Sequence, residues 1–105
     1  MSRIEAIQHL LAQNPNDPDL YLMLANDLKG ERRYGEAADA LRSYLALMPP
    51  TADVGAAYRD LGICLDGTGE KDAARESYVK GIEAARSYRH QGLQTEIEDL
   101  LKGLA

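Results

Sequence analysis

Apolar positions recur along this chain at helical spacing almost from end to end. Ile4, Ile7 and Leu11 share one face behind Ser2 and Glu5, whose separation has the form of a capping box. Asn14-Pro15 stops that first helix near Gln13, because the residue before a proline avoids the helical region. Asp17 then offers a cap with Pro18 in the first turn. Tyr21, Leu24, Ala25 and Leu28 make the next stripe, and Gly30 suits the position just past its end. The pattern predicts a third helix over about Tyr34–Leu47, closed by Pro49-Pro50, and a fourth over about Ala52–Asp66 with Tyr58, Leu61, Gly62 and Leu65 on one side. A fifth follows over about Glu70–Arg89. A sixth, over about Gly92–Gly103, carries Leu93, Ile97, Leu100 and Leu104. No six-residue stretch alternates cleanly, so strands are not expected. The fold class read from this pattern is all-α, with about six helices.

The pattern repeats. Tyr21, Leu24, Ala25, Leu28, Ala37, Leu41 and Tyr44 are matched by Tyr58, Leu61, Gly62, Leu65, Ala74, Tyr78 and Gly81 at a constant offset of 37 residues. A large aromatic and leucines on one helix face a second helix, and small residues sit where the two backbones come closest. These spacings resemble the tetratricopeptide repeat, in which a proline closes the second helix, as Pro49 does here. That family's period is about 34 residues, so the extra length falls most simply within Pro50–Val54. Tyr44 stands where a small residue is usual, Tyr21 and Tyr58 where tryptophan is commonest, and Arg86 where a second closing proline belongs. The resemblance implies a TPR-like α-α superhelix, a right-handed solenoid of antiparallel hairpins in a single domain, 1–105. Its parts are a half-repeat helix (1–16), repeat 1 (17–50), repeat 2 (51–89) and a capping helix (90–105). Small bacterial proteins of this type, with two repeats and a capping helix, look similar along the whole length.

Composition narrows the function. Twelve lysines and arginines face 17 aspartates and glutamates, a net charge of −5. That balance disfavours nucleic acid, whose binding depends on neutralising phosphates, and anionic membrane surfaces. No apolar run approaches the roughly 20 residues that span a bilayer, and the N-terminal stretch lacks the form of a signal peptide. The expected setting is cytoplasmic. Cys64 is the single cysteine, which excludes an internal disulfide or a cysteine-based metal cage. It adjoins the Leu61/Leu65 stripe and is expected to be a small buried side chain.

One stretch has the look of chemistry: LDGTGEKDAA, Leu65–Ala74. A phosphate-binding loop needs a lysine after its second glycine and a strand before the loop. Here Thr68 follows Gly67 and a helix precedes it. A calcium loop with Gly67 sixth puts Gly62 and Cys64 at ligand positions and Ala73 where a glutamate belongs. The stretch is therefore expected to turn from one helix into the next, as Gly30–Arg33 does in the first copy. His9 and His90 are expected to be solvated, and Glu96, Glu98 and Asp99 to form the wet face of the last helix. No catalytic residues, cofactor or metal are expected, and the chain is not expected to be an enzyme.

What the resemblance does imply is a concave surface lined by the first helix of each hairpin. If Tyr21, Leu24, Ala25 and Leu28 face the core, Leu22, Asn26 and Lys29 face the groove, and Arg59, Ile63 and Asp66 match them in the second copy, with Met23 and Asp60 at the edge. On the capping helix the matching face holds Gln94 and Glu98. Leu22 and Ile63 suit a partner's apolar side chain, Asn26 a peptide backbone, and Arg59 and Lys29 a carboxylate. Repeats that clamp the terminal carboxylate of chaperone tails need a lysine where Leu22 stands and an asparagine where Asp60 stands, so no such clamp is expected. The functional expectation is a scaffold or adaptor module that binds a peptide or helix of another protein. The alternative is a structural subunit that self-associates through its terminal helices, where Leu10, Leu11, Leu101 and Leu104 offer apolar surface.

Overall fold

The computed structural model describes residues 1–104; Ala105, the last residue of the expected capping segment, lies outside the described residues. Six helices follow one another: α1 (Arg3–Gln13), α2 (Pro18–Gly30), α3 (Tyr34–Leu47), α4 (Gly55–Gly67), α5 (Lys71–Ser87) and α6 (Gln91–Lys102). No strand occurs among the described residues. The chain divides into two units, Met1–Pro50 and the part from Thr51 onward.

In the first unit, α1 packs on α2 and α2 on α3. The Ser2 hydroxyl accepts the Glu5 N–H at 3.1 Å and the Asp17 carboxylate accepts the Asp19 N–H at 3.0 Å, so two orphan donors at helix starts are satisfied. α3 has no such cap. Arg33, just before it, instead grips Glu36 through two parallel bonds of 3.0 and 2.8 Å. Ile4, Ile7, Leu11, Leu24, Leu28 and Leu41 are buried, as their spacing requires, and each contributes about 1.5–3 kcal/mol by leaving water. An ion pair of 2.6 Å between Arg3 and Asp27 ties α1 to α2.

In the second unit, α4 packs on α5, and α6 packs on both. The fourth helix begins at Gly55 rather than near Ala52. Met48 is extended (φ −84°, ψ 140°) ahead of Pro49-Pro50, and the chain turns once more before helical geometry resumes. This connection spans residues 48–54, whereas the link from α1 to α2 needs only residues 14–17. Leu61, Cys64, Leu65, Tyr78 and Ile97 form the core. The deciding contact is at Gly62, where an added Cβ would lie 2.3 Å from Cε1 and 2.5 Å from Cδ1 of Tyr78. The tyrosine ring therefore rests on the bare backbone of α4. In the first unit the matching positions are Ala25 and Leu41, both buried, where a smaller side chain leaves room for a methyl group.

Three turns, at α2–α3, α4–α5 and α5–α6, use one hydrogen-bond scheme. Arg33, Glu70 and His90 each donate their N–H to the carbonyl five residues back (Leu28, Leu65 and Ala85), at 2.9, 2.9 and 2.8 Å. The preceding residues, Arg32, Gly69 and Arg89, donate to Lys29, Asp66 and Arg86 at 3.0, 3.0 and 3.1 Å. These are Schellman closures, and each requires a left-handed residue. The φ values are +60° at Arg32, +85° at Gly69 and +57° at Arg89. Gly30, expected just past the end of α2, is instead the last residue of that helix, and Arg32 takes the left-handed position.

Two predictions follow from this packing. Gly62→Ala forces the Tyr78 ring to move and lowers stability by about 1–3 kcal/mol in urea unfolding. Gly30→Ala, with nothing within 4 Å of its added Cβ, leaves stability unchanged or raises it; equal losses at both sites would contradict the ring contact. At the turns, Arg89→Gly gains and Gly69→Ala loses about 1 kcal/mol, read as opposite shifts of the thermal midpoint.

Candidate functional site

The residues expected to meet a partner fall on one helix in each unit. Leu22, Met23, Asn26 and Lys29 lie on α2. Leu22 and Lys29 are half-buried, while Asn26 and Met23 are exposed, Met23 at 39%. Arg59, Ile63 and Asp66 lie one helical step apart on α4, all half-buried.

The α4 residues are held by neighbours of their own unit. Arg59, expected to await an incoming carboxylate, donates from Nε to Asp60 at 3.1 Å and from a terminal nitrogen to Glu96 on α6, also at 3.1 Å. Burial works against its charge, but Asp60 and then Glu96 outweigh burial and hold its pKa above the ordinary arginine value. Asp66 is paired with Lys71 across the glycine turn. In that turn Thr68 Oγ1 lies 2.8 Å from the Leu65 carbonyl and 2.7 Å from a Glu70 carboxylate oxygen. The polar residues of LDGTGEKDAA thus fasten α4 to α5, which is how the stretch turns its corner.

Two open recesses flank this network. The first, about 460 Å³, lies between the start of α4 and the start of α6 and includes Arg59, Glu96 and Leu93. At its rim His90 Nε2 sits 2.6 Å from Asp53, and the His90 ring stacks on Tyr88. His90, expected to be merely solvated, is exposed but paired. The second recess, about 390 Å³, is lined by Asp66, Tyr78, Glu96, Asp99, Leu100 and Gly103. Glu96 belongs to both.

Tyr78 is 1% exposed, yet it reaches the second recess. Burial first, then the charge of Asp66 and the neighbouring Cys64, push its pKa up from 10.0 to about 12. Cys64 is itself fully buried, as expected beside its leucines.

Sequence reasoning singled out Gln94 and Glu98 on the last helix, but the side chain that meets Arg59 is Glu96. A signal for it exists. Asp53–His90 and Arg59–Glu96 are both separated by 37 residues, the offset that relates the two repeat copies. Carrying that register one helix further would have brought both pairs together.

Among the described residues no group of three or more His, Cys, Asp or Glu side chains is placed to hold a metal ion, and no helix is long and apolar enough to cross a membrane. No protein-family model matches the chain, and no curated protein matches it. The solution structure of protein BPP2914 from Bordetella parapertussis does: it is 26% identical, with a TM-score of 0.80, over 99% of this chain and 88% of that one. The likeness is one of all-helical fold.

The raised pKa of Tyr78 predicts how the second unit responds to alkali. The folded state disfavours tyrosinate, so this stabilisation is complete below pH 10 and is lost as pH rises through about 12. Helical circular dichroism should fall together with the last tyrosine to ionise, and Tyr78→Phe should move the alkaline midpoint upward. A midpoint unchanged in Tyr78→Phe would place the alkaline sensitivity elsewhere.

Proposed function

We propose that this chain is an interaction module of tetratricopeptide type that takes a peptide or helix of a partner protein against the first-helix faces of its hairpins. The observation that carries this reading is the duplicated hairpin itself: equal residue spacing at an offset of 37, the same closing turn, and matched faces on α2 and α4 that neither hairpin fills with core side chains. A TPR-like solenoid is the arrangement this repeat implies, and its use for binding follows from that resemblance. The apolar side chains at Leu22, Met23 and Ile63 beside the amide of Asn26 suit an amphipathic segment. The paired state of Arg59 shifts the expected chemistry: its guanidinium already holds Asp60 and Glu96 and does not await a partner's carboxylate. The reading involves no catalysis, cofactor or nucleic acid.

A second reading, self-association through the terminal helices, is favoured by Leu10, which stands 45% exposed on α1.

Photo-crosslinking separates the two. A benzoylphenylalanine in place of Met23 or Ile63, in cells that express the protein natively, should give adducts with a partner polypeptide. The same probe in place of Asp39, on α3, should not. Adducts of this chain with itself alone, or equal yields from all three positions, would overturn the binding reading.

A further inference from the structure

We draw no further inference here: the strongest candidate, the recess between the start of α4 and the start of α6 where Arg59 and His90 lie beside a first turn that no side chain caps, carries nothing, because both side chains are already paired, with Glu96 and Asp53, and nothing else in the structure points to a ligand at that helix N-terminus.

Discussion

The contact on which the second unit depends is a tyrosine ring lying where a side chain is missing. Gly62 gives up helix propensity, about 1 kcal/mol relative to alanine, and in exchange α4 and α5 enclose the whole of Tyr78, among the largest fully buried side chains of the chain. That burial orders what surrounds it. The ring sets how closely α4 and α5 approach at Gly62, and Tyr78 lines a recess together with Asp66, whose charge it feels. The same contact therefore sets a packing distance and part of a recess wall. In the first unit Ala25 and Leu41 hold the corresponding places, so the two hairpins divide volume differently while keeping one pattern.

The turns show the same economy of design at the level of the backbone. Three helix ends close with one pair of hydrogen bonds, and each needs a residue with positive φ. Only one of the three uses glycine. Arg32 and Arg89 accept a strained backbone conformation, worth roughly 1 kcal/mol each, while their side chains remain in solvent at the ends of helices whose last carbonyls favour positive charge. The closing hydrogen bonds and the packing of the helices they join outweigh that strain.

Much of this was legible in the sequence. The stripes placed α3 within its observed limits and picked out Ile4, Ile7, Leu11, Leu28, Leu61, Leu65 and Ile97 as core, because burial of one helix face depends mainly on spacing. The glycine turn was legible by elimination, since neither a phosphate loop nor a calcium loop tolerates its residues. Other features were not. Gly30 looked like a left-handed cap, but the helix absorbed it and the strain moved two residues on, a choice made by hydrogen bonding and not by residue preference. The pairing of Arg59 with Glu96, and of His90 with Asp53, depends on how α6 lies against α4, which no single helix encodes. Their common 37-residue separation shows that the repeat register held the information, one helix beyond where the hairpin copies end.

The view that joins these elements is of a repeated helical hairpin whose second copy carries a glycine under a clamped tyrosine where the first carries an alanine. NMR of the native protein tests this most directly, through cross-relaxation between the Gly62 α-protons and the Tyr78 ring. The account predicts strong cross-peaks, with the Gly62 α-protons displaced upfield by the ring current. Unperturbed Gly62 shifts without those cross-peaks would contradict it.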